Sequence, residues 1–250
     1  MTQTTAKLLA ALALAGVAAG AQASVSANAS IGALSVQVID INPLDGITPT
    51  LSFSDGLVWS SINASSYWDH QSNDLATGSS SAYNATNGSL SVIANSNGLS
   101  SSANIVSGTY AFYYTNQRAQ TNLNFSLDGA AAVIFSTPFS VSATNNNGYD
   151  YGYSWAELSG YAYSDSGSKN TSFSDSQGAG VAEYYSNHSY SKQGTLTGGF
   201  VSTASSTYGT IYLHAGSDVQ TQPVPEPSEY LMLLAGLGVV GYAAKRRQTR

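Results

Sequence analysis

Period-two alternation of apolar and polar residues runs through the middle of this chain. Leu51, Phe53, Leu57 and Trp59 share one parity, as do Tyr110, Phe112 and Tyr114. Leu123, Phe125 and Leu127 alternate with Asn122, Asn124 and Ser126, and Asp128-Gly129 then supplies a turn. Val133, Phe135, Phe139, Val141 and Ala143 extend the period through a long strand in which Pro138 marks an edge or a bulge. Leu196, Gly198 and Phe200 line one further face, and Ile211, Leu213 and Ala215 another. Side chains of a strand alternate between its two faces, so each set predicts one core-facing side. Asn87-Gly88, Asn97-Gly98, Ser107-Gly108, Asn147-Gly148 and Ser166-Gly167 punctuate the runs. No window from Ser24 to Gln222 keeps a 3.6-residue period with caps. The pattern predicts an all-β, antiparallel β-sandwich, jelly-roll-like. Ile62–Ser102 is rich in Ser, Asn, Gly and Ala, which predicts long loops with one or two short strands around Leu90–Ile93, or disorder.

Both ends depart from this pattern. Met1–Ala23 reads as a signal peptide: Lys7 begins it, Leu8–Ala19 are apolar, and Ala21-Gln22-Ala23 forms a cleavage site that leaves Ser24 as the new N-terminus. Signal peptidase and the export machinery are the partners this implies. Residues 24–222 form a Ser/Asn/Gly/Tyr-rich domain, long enough to bury a core. Residues 223–250 form the other end. Pro223, Pro225 and Pro227 favour an extended backbone. Tyr230–Ala244 then predicts a single transmembrane helix of about 22 Å, short against a hydrocarbon core of about 30 Å. Lys245, Arg246, Arg247 and Arg250 place its end in the cytoplasm, with Glu226 and Glu229 outside.

The motif Val224-Pro225-Glu226-Pro227, the helix and the cluster Lys245, Arg246, Arg247 stand in the order of the PEP-CTERM sorting signal, which this tail resembles over about a tenth of the chain. The resemblance implies recognition and removal by an exosortase, a membrane enzyme of Gram-negative bacteria that make exopolysaccharide. The catalytic residues belong to that partner. It also implies transient inner-membrane anchoring, delivery to the cell surface or medium, and a role in the extracellular matrix of biofilms or flocs.

Charge and cysteine content narrow the domain's own chemistry. Between Ser24 and Gln222 twelve acidic residues oppose Arg118, Lys169 and Lys192, a balance of −9. That surface repels nucleic acid. With no cysteine, an exported chain has no disulfides, thiolate metal site or cysteine nucleophile.

Tyr149, Tyr151, Tyr153 and Trp155 would project from one face of a strand, and Tyr161 and Tyr163 continue it. Exposed, such a row would stack sugar rings, with Asp150 and Asn145 to Asn147 binding hydroxyls. The favoured expectation is the core face of the sandwich or a cross-strand ladder. Asp69-His70, His188 and His214 are the only histidine chemistry. No Gly-x-Ser-x-Gly or His-Glu-x-x-His occurs, and His214 is expected at the surface. Glu157 and Glu183 would suit a glycosidase only if they met across a cleft; two solvated carboxylates are expected instead. The acidic loops Asp40-Asn42-Asp45-Gly46 and Asp165–Asp175 are candidate Ca²⁺ sites without an EF-hand pattern. Seven Asn-x-Ser/Thr triplets are only a small excess over chance, and in a bacterium they do not signal N-glycosylation. The residues therefore give no catalytic site and no required cofactor. They describe an exported surface or matrix protein, with a carbohydrate-binding module on the aromatic face as the alternative and a secreted glycosidase as a weaker one.

Overall fold

The computed structural model describes residues 24–66, 80–85, 88–95, 98–106, 113–146, 150–164, 170–181 and 188–221. Among them all regular structure is β and every pairing is antiparallel. Twelve strands follow in order: β1 (Ser24–Ile31), β2 (Ser35–Asp40), β3 (Thr50–Ser66), β4 (Ser80–Ala85), β5 (Gly88–Asn95), β6 (Gly98–Val106), β7 (Tyr113–Asp128), β8 (Ala131–Asn145), β9 (Tyr151–Ser164), β10 (Asn170–Val181), β11 (His188–Ser202) and β12 (Ser206–Thr221). They form a seven-stranded sheet, β11-β8-β1-β6-β5-β4 with β2 also on β8, and a five-stranded sheet, β10-β9-β12-β7-β3. The predicted sandwich is present. The signal peptide and the transmembrane helix lie outside the described residues.

The interior is filled unevenly. Phe125, Phe135, Phe173 and Phe200 form one ring cluster between the sheets, with centroids 5.4–6.1 Å apart. Leu127, Leu158, Leu196 and Ile211 are fully buried with them. Elsewhere small and polar groups meet: Ser101 Oγ lies 2.6 Å from Ser217 Oγ, which donates to Gln117 Oε1 at 2.7 Å, all buried. At one side, side chains stitch the sheet edges together. The Thr197 backbone N–H on β11 donates to Asp175 Oδ2 on β10 at 2.9 Å, and Lys192 Nζ donates to Gln177 Oε1.

Two bulges set which residues reach the core. Ile31 stands opposite Phe139 and Ser35 opposite Ser136, so Gly32, Ala33 and Leu34 face only Thr137 and Pro138. The extra residue flips parity, and Leu34, Val36 and Val38 point inward just as Val25, Ala27, Ala29 and Ile31 do. Pro138 is thus at a bulge and not at an edge. Its carbonyl accepts from Gly32 N–H at 2.8 Å, so the ring nitrogen that lacks a donor faces the same interruption in the ladder. A second register shift, between Ser54 and Leu57, corrects the single parity read for β3. Leu51 and Phe53 pair with Leu127 and Phe125 on the inner side, whereas Leu57 and Trp59 pair with Asn122 and Gln120 on the outer side.

The Asp128-Gly129 turn is also present, with Gly129 at φ 92°, yet it joins two sheets and not two paired strands. The stretch read as loops holds more strand than expected. β4, β5 and β6 form a meander there, with Leu90, Val92, Ala94, Leu99, Ala103 and Ile105 buried. Small residues suffice because each strand needs only alternate apolar positions.

Phe135 touches three other rings, so Phe135→Ala should destabilise the domain by about 3–5 kcal/mol in equilibrium chemical denaturation.

Candidate functional site

The aromatic row of β9 lies on the outer face of the five-stranded sheet, and the core-face expectation is corrected. Gly152, Ser154, Ala156, Leu158, Gly160 and Ala162 point inward and are buried, while Tyr151, Tyr153, Trp155, Tyr161 and Tyr163 point out. The reason is volume. Phe173 already covers Gly160, and Val25 crowds Gly152, leaving small inner residues as the ones that fit. Tyr149 lies outside the described residues.

Glycines in neighbouring strands shape how the rings lie. Trp155 pairs with Gly178 on β10 and Gly216 on β12. A Cβ on Gly216 would collide with Trp155 Cε2, so the indole lies over bare backbone. Tyr153 likewise lies over Gly178, where a Cβ would collide with its hydroxyl. Arg118 of β7 stands over the indole, with Cζ 5.6 Å from the ring centroid.

β12 completes the face. Tyr208 and Tyr163 are opposite one another, centroids 6.1 Å apart; Tyr163 and Tyr161 follow at 6.2 Å and 21° between planes; Tyr161 and Tyr212 at 6.2 Å. His214 lies 6.1 Å from Tyr212 and 6.1 Å from Trp155. The result is a continuous aromatic track, Tyr208–Tyr163–Tyr161–Tyr212–His214–Trp155. It covers eight residue steps of β9, about 26 Å at 3.3 Å per residue. Tyr161, Tyr163 and Tyr208 are 40–44% exposed. Neutral hydrogen-bonding groups run beside it: Thr210 Oγ1 donates to Asn124 Oδ1 at 2.9 Å, and Gln120 Nε2 to Asn122 Oδ1 at 2.6 Å.

Sequence parity put Trp155, Tyr161 and Tyr163 on one face with Tyr151 and Tyr153, which are not links of the track, and missed the β12 half. Tyr208, Tyr212 and His214 do share a parity, but only the pairing of β12 with β9 brings them beside Tyr161 and Trp155. Arg118 joins from β7 through a pairing with no local signal.

His214 is not a plain surface residue. Its Nδ1 lies 3.6 Å from Glu157 Oε2, and its Nε2 is buried with no hydrogen-bond partner. Burial pushes its pKa down; Glu157 opposes and Arg118 reinforces the shift. Burial pushes the Asp218 carboxyl up, although Asn116 Nδ2 donates to it and Arg118 is near.

The remaining candidates are not assembled into a site. His188 begins β11 on the other sheet, and Asp69, His70, Glu183 and Asp165 lie outside the described residues. Glu157 lies within the track and Asp218 beside it. They sit four residues apart in register, about 13 Å along the strands, beyond the roughly 5–9.5 Å of a glycosidase pair. In the first acidic loop Asp40 Oδ1 accepts from Asn42 N–H at 2.8 Å, and Asp45 accepts from Ile47 N–H and the Asn42 side chain. Asp175 is the acceptor that ties β10 to β11. Among the described residues no three His, Cys, Asp or Glu are grouped to hold a metal ion.

The two shifted groups give the stability a pH signature. His214, with its folded pKa below the unfolded value, contributes fully above about pH 6.5, and the fold weakens as pH falls through and below that value. Asp218, with its folded pKa raised, acts oppositely, and its unfavourable contribution grows as pH rises from about 3.8. Thermal denaturation across pH should show a loss on acidification below about 6.5 that His214→Gln flattens.

No curated protein and no solved structure matches the chain. One family model does, over the tail that begins two residues beyond the last described one. Residues 223–247 match the PEP-CTERM protein-sorting motif, which indicates an exosortase-sorted protein exported to the cell envelope or surface.

Proposed function

We propose that this domain is a non-catalytic binding module of the extracellular matrix, and that its track of rings holds exopolysaccharide in biofilms or flocs. The observation that carries the reading is the unbroken aromatic track on a solvent face. Pyranose rings present apolar C–H faces and hydroxyl rims. Tyrosine and tryptophan offer large surfaces with little rotamer entropy to lose, and polar tips for the hydroxyls. The glycine slots beneath Trp155 and Tyr153 fix ring orientation before a ligand arrives, which lowers the ordering cost of binding. The sorting tail supports the location, since an exported surface protein meets polysaccharide at high concentration. The export route itself runs through signal peptidase after Ala23, then membrane retention by the tail, then exosortase release near Val224–Pro227.

Two measurements test this. Intact mass spectrometry of protein recovered from the cell surface or medium should give a chain from Ser24 to a terminus near Val224–Pro227. A chain ending at Arg250 would make the tail a permanent anchor. In co-sedimentation with exopolysaccharide from the same cells, Trp155→Ala and the pair Tyr163→Ala/Tyr208→Ala should each weaken binding about tenfold. The exposed tyrosine pair controls for misfolding at Trp155, and wild-type sedimentation by both variants would sink the reading.

A further inference from the structure

The charges around the track select among polysaccharides. We infer that its ligand is a neutral, linear glycan whose sugars carry no carboxylate or sulfate, an inference that rests on the track being a glycan platform. Glu157 stands within the track, 3.6 Å from His214, and Asp218 lies across from Tyr153 on the next strand. Asp128 is exposed at the end of β7, opposite Ser206. Against these three carboxylates the outer face has one cation among the described residues, Arg118. That guanidinium already lies over Trp155 and acts on Asp218. Lys192 is on β11, in the other sheet, and donates to Gln177. The whole domain adds its −9 balance.

A polymer with one carboxylate per sugar would lay a row of anions along this acidic face, within the roughly 8 Å over which charges act at physiological salt. A neutral polymer meets rings and amides instead. Thr210, Gln120, Asn122 and Asn124 supply donors and acceptors without charge, spaced along the track on the adjoining strands. The track is open along the sheet for about 26 Å, so it suits an internal stretch of chain more than a chain end.

The test is native affinity electrophoresis of the protein recovered from its own cells. Separate gels would contain neutral β-glucan, xylan or galactomannan, or the anionic polygalacturonate or alginate, each at low and high salt. The expected result is retardation by at least one neutral polymer, unchanged by salt, cut about tenfold by Tyr163→Ala/Tyr208→Ala, and no retardation by either polyuronate. Retention by a polyuronate that salt abolishes and Arg118→Ala removes would overturn the neutrality and leave the platform standing. Retention by a polyuronate only with added Ca²⁺ would overturn it too, as a bridged anion. If no polymer of either kind retards the protein, the platform itself fails and the ligand class with it.

Discussion

The space between the sheets is the constraint on which the rest depends. Four phenylalanine rings, from β7, β8, β10 and β11, meet at 5.4–6.1 Å and occupy it. Where they intrude, the strands beside them must present glycine. β9 does so at Gly160 under Phe173 and β12 at Gly209 under Phe125, each beside its paired strand in the same sheet. Once the inner positions of those strands are small, their large residues have only the outside left. The tyrosines that look like core in one dimension are therefore displaced to solvent by phenylalanines elsewhere in the chain. The same packing that stabilises the domain arranges its outer face.

That displacement also explains what the sequence could and could not reveal. The parity of Leu123–Leu127, of Val133–Ala143 and of Ile211–Ala215 was legible because apolar and polar residues alternate cleanly, and all three sets point inward. β9 was ambiguous because both of its parities can face a core, one by size and the other by fit. The sequence of β9 alone does not say whether its neighbours bring large or small residues. β3 misled for a different reason: a register shift within a run of like parity moves Leu57 and Trp59 to the opposite face, and nothing but the pairing with β7 marks it. The sorting tail was the most legible part, because its three pieces act in sequence order and need no tertiary partner.

The domain holds together without disulfides, through long ladders and a few side-chain stitches. β7, β8, β11 and β12 each run fifteen or sixteen residues. Of these β11 is an edge, as is the seventeen-residue β3, and exposed edges of that length invite pairing with other chains. At one side the risk is reduced where Asp175 captures the Thr197 N–H and Lys192 reaches Gln177, so the two outermost strands there are bound to each other. The acidic balance adds general repulsion between copies at the surface.

Chain direction has a last consequence. Ser24 lies opposite Val106 and Thr221 opposite Tyr113, while Asn146 N–H donates to the Ser24 carbonyl at 2.9 Å, so the first and last described residues leave from the same end of the sandwich. Tyr208 is thirteen residues up β12 from Thr221, about 43 Å away. The strands therefore lead away from the end at which the chain runs on toward the sorting motif. Tyr163 and Tyr208 are at the far end, while Tyr190, Tyr151 and Tyr114 lie at the end from which the chain leaves. The exposed pair Tyr163 and Tyr208 is therefore the part of the aromatic track farthest along the strands from the residues that lead to the sorting motif.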